Sequence, residues 1–442
     1  MLALPLEIIG LVLESLPRQQ DRYHLALSCR RLYDVVQPTI FSNVTLCNQI
    51  NRARQISTFL FAIIAKPKLA DAVRSLDLQC WDTLSSITAD ERYEESTRCD
   101  FKYDSNLTGS LIDEVEITPD EKEEWKADLE SGISDAWLAL TIPRLANLRT
   151  ISIEWSDDVL HFPRILEIMA TQSPSPLPHL EEAFARWFDT EGGADSRLML
   201  PFFKFPAMQK VYGHMIEDDS TESSSEGTGS PAAPCSTVTE INLSLSNVSH
   251  GLWEWTEMCK ALKSFKMTYG GPTVSYNYSQ PHIIYDCLFH HRKSLERIWL
   301  EVDDLENSLD EDGRMGSFTE FSALQHLYIN LELLTDANNE GGLIRDLGDM
   351  LPLESLETLH LWGCSTQDID WVSEKMEILV HLMPKFKFLC LRIETQFPLD
   401  TPEKVCRLEK VLQDAGISFK IVNLSDSWEY IKSLWPHHAG CE

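Results

Sequence analysis

Cysteines, histidines and clustered carboxylates are the residues of this sequence best suited to chemistry, and their spacing builds no familiar reaction centre. Cys287-Leu288-Phe289-His290-His291 sets three candidate metal ligands within five positions. A tetrahedral zinc site needs four donors, and no second cluster completes one, so local helix packing is the better reading. His437, His438 and Cys441 would need ligands from outside their own segment to hold a metal. Asp303-Asp304 and Asp310-Glu311-Asp312 fall in an expected loop, where solvation accounts for them. The sequence has no glycine-rich phosphate loop, no Gly-x-Ser-x-Gly elbow and no His-Glu-x-x-His pair. Gly270-Gly271 and Gly341-Gly342 read as turns. A thioester-forming ubiquitin transferase needs a positioned cysteine in a catalytic domain of its own, and none is found. The expectation is a non-catalytic chain with no cofactor and no metal.

Composition narrows the partners. The 442 residues suffice for two domains, or for a small module followed by an extended array. With 43% hydrophobic residues a large core is within reach, yet no apolar run approaches the roughly 18–20 residues of a membrane span. The formal net charge of −31 argues against a phosphate-neutralising surface, so neither nucleic acid nor membrane is an expected partner. Eleven cysteines are scattered without a Cys-x-x-Cys pair, and Cys364 and Cys390 sit inside apolar runs. Free thiols of that kind point to a reducing compartment, cytoplasm or nucleus.

Most of the chain follows one rhythm. Apolar residues recur in a Leu-x-x-Leu-x-Leu frame, as in Val73/Leu76/Leu78, Leu148/Ile151/Ile153, Leu295/Ile298/Leu300 and Leu356/Leu359/Leu361. The middle positions Ile151, Ala183, Val211, Ile241, Phe265, Ile298, Leu327, Leu359 and Leu389 advance in steps of about 30 residues. Such a unit supplies one short parallel strand and a returning chain, and only stacked neighbours close its core. An ordinary α/β domain is the alternative, but it rarely keeps so even a step. Returning helices are expected over 253–262, 281–293, 371–382 and 403–412, with a last strand over 417–424 and a closing helix over 428–435. The frames resemble leucine-rich repeats, although the Asn or Cys that should follow the strand is clear only at Cys364, which leaves the subtype open. The resemblance implies an α/β solenoid over 73–436, with parallel strands on a concave face and helices outside.

Two stretches interrupt the rhythm. An acidic insertion over 82–135 contains the helix start Thr118-Pro119-Asp120-Glu121, a capping-box pattern with proline in the first turn. Trp125, Leu129, Ile133, Ala136, Trp137 and Leu140 would share that helix's apolar face. The stretch 217–236 is rich in Asp, Glu, Ser, Gly and Pro and is expected to be a disordered loop. On the strands, Trp299, Glu301, His326, Tyr328, His360, Trp362 and Arg392 alternate with the inward apolar positions and are expected to face a target protein. The competing reading has them packing on one another.

The first 46 residues carry a different pattern. Leu6, Ile9, Leu13 and Leu16 recur every three or four positions, which predicts a helix with one apolar stripe that Ile8 and Val12 widen. Pro5 suits its first turn, and Pro17 ends it. A second short helix is expected over Tyr23–Leu27 and a third over Cys29–Val36, stopping before Pro38. Connecting helices would fill 47–72. A signal peptide is the poorer reading, since no basic segment precedes the apolar run and Glu7 and Glu14 interrupt it. The ordered set Leu4-Pro5-Leu6-Glu7-Ile8-Ile9, Leu27-Ser28-Cys29-Arg30-Arg31-Leu32-Tyr33 and Pro38 with Phe41 resembles an F-box. That resemblance implies docking on a Skp-type adaptor, and through it on cullin and RING subunits. The repeats would then hold an unknown target protein for ubiquitin transfer. It places the adaptor face on Leu4, Pro5, Ile8, Ile9, Leu13, Leu16, Leu25, Cys29 and Leu32. The alternative is a repeat scaffold in a Skp-adaptor complex without ubiquitin transfer.

Overall fold

A five-residue strand can bury its backbone only by pairing, and in a repeat its neighbours are the strands one unit before and one unit after. That is the arrangement in the computed structural model, which describes residues 5–16, 18–47, 53–79, 81, 103–218, 234–275, 280–302, 315–334, 346–365, 368–393 and 401–423. The strands are β1 (Asn43–Cys47), β2 (Ser75–Gln79), β3 (Thr150–Trp155), β4 (Glu182–Trp187), β5 (Ala194–Asp195), β6 (Lys210–His214), β7 (Ile216–Glu217), β8 (Glu240–Ser244), β9 (Ser264–Thr268), β10 (Arg297–Glu301), β11 (His326–Asn330), β12 (Thr358–Cys364), β13 (Phe388–Ile393) and β14 (Ser418–Asn423). The chain forms two compact units, Met1–Thr190 with Leu198–Tyr212, and Glu191–Arg197 with Gly213–Glu442.

In the first unit β1, β2, β3 and β4 pair in chain order, all parallel, with Val44, Leu76, Ile151 and Ala183 in one cross-strand row. In the second unit β8 to β14 do the same, and Ile241, Phe265, Ile298, Leu327, Leu359, Leu389 and Phe419 share a row. The middle residue of each repeat frame therefore marks the register. Ile151, Ala183, Ile241, Phe265, Ile298, Leu327, Leu359 and Leu389 are all fully buried. This is an all-parallel α/β array with helices between strands, as the repeat frame implied.

A backbone device repeats at the strand entrances. One carbonyl accepts two successive N–H groups of the following repeat: Arg74 from Arg149 and Thr150, Arg149 from Glu181 and Glu182, Lys263 from Glu296 and Arg297, and Glu296 from Gln325 and His326. Some side chains at the same offset carry opposite charges, with Arg149–Glu181 at 3.8 Å and Lys263–Glu296 at 3.4 Å. These pairs are half-exposed and screened, so the backbone bonds and the buried rows carry the stacking.

Helices fill the intervals. In the first unit they are Arg54–Ala65, Ser105–Asp113, Pro119–Ser131, Ser134–Thr141 and His161–Thr171. In the second unit His250–Met258, Pro281–Phe289, Asp368–Leu379 and Thr401–Asp414 stand close to the expected returning helices. The Thr118 capping box forms as its sequence suggests, Thr118 Oγ1 accepting from Glu121 N and a Glu121 carboxylate oxygen accepting from Thr118 N.

Three differences from the sequence reading have physical causes. The apolar face expected to run from Trp125 to Leu140 on one helix is split, because Gly132 adopts a left-handed conformation (φ 77°) and ends the first helix. The indole N–H groups then hold the halves together, Trp125 donating to Ala136 O at 2.9 Å and Trp137 to Leu129 O at 3.2 Å. The third N-terminal helix runs from Arg30 to Ile40, through Pro38. Proline there falls in the last turn, where only one backbone donor is lost before the helix stops. The parallel strands begin at Asn43, before the expected first frame at Val73, because Val44 and Leu46 supply a short alternation that pairs with Leu76 and Leu78. The insertion read over 82–135 is helical from Ser105 on, and 82–102 lie outside the described residues. So do most of the loop read over 217–236, the closing helix over 428–435, the acidic clusters at 303–304 and 310–312, Gly341-Gly342, and His437, His438 and Cys441.

Candidate protein-docking surfaces

The metal reading of Cys287, His290 and His291 gives way to packing partners. His291 Nε2 lies 2.9 Å from Thr256 O and its Nδ1 3.4 Å from Leu262 N, so the neutral ring bridges two segments. Burial holds it below the usual imidazole range and pushes the Cys287 thiol up to about 12. His290 bonds the Asp286 carbonyl at 2.8 Å and meets the Trp253 ring edge-on.

Three helices, Leu6–Glu14, Gln19–Leu27 and Arg30–Ile40, build the N-terminal module of the first unit. Ile9, Leu13, Ala26, Leu32 and Val36 form its core, with Leu25, Cys29, Val35 and Ile40 packed on them. The module is pinned by Arg22 Nε donating to Leu16 O at 2.9 Å. Of the residues expected on the adaptor face, Ile9, Leu13 and Leu32 are thus buried in the module, Leu25, Cys29 and Leu16 are half-buried, and Pro5 and Ile8 are exposed. Leu4 lies outside the described residues. A second apolar set faces outward: Ile8, Leu11 at 60% exposure, Tyr23, Leu27 at 61% and Tyr33. Ile8 and Leu11 share one helix face, as do Tyr23 and Leu27. The adaptor face expected from the sequence omits Leu11, Tyr23, Leu27 and Tyr33; for Leu11 the reason is that the first helix is apolar on both sides and its periodicity does not say which side is inward.

In the second unit, the seven residues expected on the strand face lie on β10 to β13. Trp299, Tyr328 and His360 occupy one register row, between Lys266 on β9 and Cys390 on β13. The rings stack across strands: Trp299–Tyr328 centroids are 4.5 Å apart and Tyr328–His360 4.1 Å. Trp362, one row on, meets Trp299 at 5.4 Å. Cations close both ends, with Lys266 Nζ 4.7 Å from the Trp299 centroid and the Arg392 guanidinium 4.8 Å from that of Trp362. Arg392 Nη1 also donates to Glu301, which accepts from Trp299 Nε1 at 3.3 Å. His326 Nδ1 lies 2.7 Å from Thr358 Oγ1.

The structure therefore brings all seven residues together, but largely packed on one another. Trp299, Tyr328, His360 and Trp362 are buried, while Glu301, His326 and Arg392 are half-buried. Burial moves the ionisable groups in the expected directions, His360 down to about 3 and Lys266 down to about 8. Lys266 was not singled out in the sequence. Its signal was present, since it stands at the same frame position as Trp299, Tyr328 and His360.

Cys364, the residue that most resembles the repeat consensus, is buried, with Sγ 3.6 Å from Leu361 O. Ser246 holds the equivalent offset after β8, accepting from Ile216 N at 3.1 Å and donating to Ser244 O at 2.9 Å. The turn after a strand needs a short polar side chain, and serine serves. Among the described residues no helix is long and apolar enough to cross a membrane.

A family model described as a leucine-rich repeat domain matches residues 170–395, just over half of the chain. No F-box family model matches, and no curated protein matches the chain. Strand order, register and the matched span agree: the chain belongs to the leucine-rich repeat domain family.

Proposed function

We propose that this protein is a recruiter. In this reading the N-terminal module docks on a Skp-type adaptor, and the repeats hold a target protein for a cullin–RING ubiquitin ligase, with no chemistry of their own. Leucine-rich repeat domains mediate protein–protein interaction, with or without an adaptor. The adaptor rests on one observation above others. The module closes a core of its own yet leaves Ile8, Leu11, Tyr23, Leu27 and Tyr33 toward solvent. Exposed apolar sets of this kind mark interaction sites. Pro5, Ile8 and the four residues beside them would touch the adaptor, while Ile9, Leu13 and Leu32 hold the helices that present them. Tethering would raise the effective concentration of target lysines near a charged conjugating enzyme.

Quantitative affinity purification of the intact chain tests this. Recovery of a Skp-type adaptor together with cullin is the expected result. Adaptor without cullin supports the second reading, a repeat scaffold in a Skp-adaptor complex without ubiquitin transfer. Recovery of neither contradicts both.

A further inference from the structure

The strand face of the second unit holds two buried donors, on Trp362 and Arg392, without acceptors among the described residues. Trp362 is 3% exposed, and its indole N–H has no acceptor among the described residues. Arg392 Nε, buried beside it, has none either, since the guanidinium meets Glu301 through Nη1. A buried donor left without an acceptor is costly, and the cost is relieved when an acceptor arrives. The side chains of Arg392 and Glu301 each remain 12% exposed, so this pair forms the accessible rim of the donor site.

Charge points the same way. Among the outward positions of β8 to β14, Lys266, Arg297, Arg392 and Lys420 are basic, and only Glu240 and Glu301 are acidic. The whole chain carries −31. A net-basic strip on so acidic a molecule attracts what the remainder repels.

We infer that this strip takes an acidic stretch of a protein partner, with one Asp or Glu carboxylate accepting from Trp362 Nε1 and Arg392 Nε. The inference rests on the reading of the repeats as the target-binding surface, and it names the chemistry that surface selects. The Arg392 guanidinium lies 4.8 Å from the Trp362 ring centroid, so the two donors sit on adjacent side chains and a carboxylate offers one oxygen to each. The Glu301 carboxylate beside them opposes the second negative charge of a phosphate group.

The probe is a fluorescent copolymer of Glu and Tyr, titrated into the full chain by anisotropy, with a Gln–Tyr copolymer as neutral control. Non-specific attraction works against the acidic probe, so saturable binding reports the site. The Glu–Tyr copolymer should bind at least tenfold more tightly than the control. Trp362→Phe keeps a ring without the N–H, and Arg392→Lys keeps the charge without Nε. Each should weaken binding at least tenfold with unfolding temperature checked in parallel. Equal affinity for both copolymers, or unchanged affinity in both variants, overturns the inference. Tighter binding of a phosphoserine–Tyr copolymer overturns the choice of carboxylate. A photo-crosslinking residue at His326 separates the two levels of failure. Capture of a protein partner that both variants leave intact removes only the acidic class. No capture at all removes the docking reading beneath it.

Discussion

Lys266 is held at 3% exposure against the Trp299 ring, and an ammonium in that position lowers stability. Burial takes its pKa from 10.5 to about 8, only partly opposed by Glu301. The cost is full below pH 8, where folded and unfolded chains are both protonated. It shrinks as the pH rises from 8 toward 10.5, because the unfolded chain then binds more protons and stability rises with pH. A shift of this size corresponds to ~3 kcal/mol at most. Lys266→Met should therefore raise the unfolding free energy at pH 7 by ~1–3 kcal/mol and remove the alkaline rise of the native chain. Urea titrations at pH 7 and pH 10 check this, and a destabilised variant at pH 7 would show the ammonium to be a structural asset. A stability gain together with weaker binding of an acidic probe would mark Lys266 as a residue kept for recognition. Alternation along each strand showed in the sequence which residues share this face. Their stacking was harder to foresee, because ring-to-ring contact depends on the register between strands some thirty residues apart.

Among the elements, the helices show how far local sequence reaches. The Thr118 capping box is a short-range pattern and was legible for that reason. The helix His161–Thr171 has no side-chain cap from its own N-cap residue. Asp135, from a different helix, supplies it, its carboxylate accepting from Leu160 N at 2.8 Å, His161 N at 2.7 Å and Phe162 N at 2.9 Å. His161 Nε2 also meets Asp128 at 2.7 Å, and its ring stacks on Trp125. In the second unit Asp218 does the same for His250–Met258, accepting from Ser249 N, His250 N and Gly251 N. No spacing rule finds a cap contributed from some 26 or 32 residues away. Asp135→Ala would leave three N–H groups of a helix start without their acceptor and should cost ~2–4 kcal/mol. Asp135→Asn, which keeps one acceptor, should lose less. Urea unfolding of both variants measures it, and a loss below about 0.5 kcal/mol would show that solvent replaces the carboxylate. The repeat frame was legible for the opposite reason, since each Leu-x-x-Leu-x-Leu set needs only its own residues to declare an inward face. The strand Asn43–Cys47 escaped notice because its alternation is brief and follows directly on a helix.

The molecule as a whole joins repeats built from inward apolar rows to an N-terminal module with apolar residues on both sides. The family match spans residues 170–395, and the N-terminal module lies outside it. Its sequence showed a helical stripe but could not say that Ile9 and Leu13 close the core while Ile8 and Leu11 look out. That division also sets the choice of mutation. Leu13→Asp would bury a charge and unfold the module, so lost binding there would prove little. Leu11→Asp and Leu27→Asp alter exposed positions and should leave the unfolding temperature of the chain unchanged. The most direct measurement is light scattering on the full chain mixed with a purified Skp-type adaptor. The recruiter reading expects a one-to-one complex for the native chain and its loss in the Leu11→Asp/Leu27→Asp double variant. No complex, or a complex indifferent to those two substitutions, would contradict it.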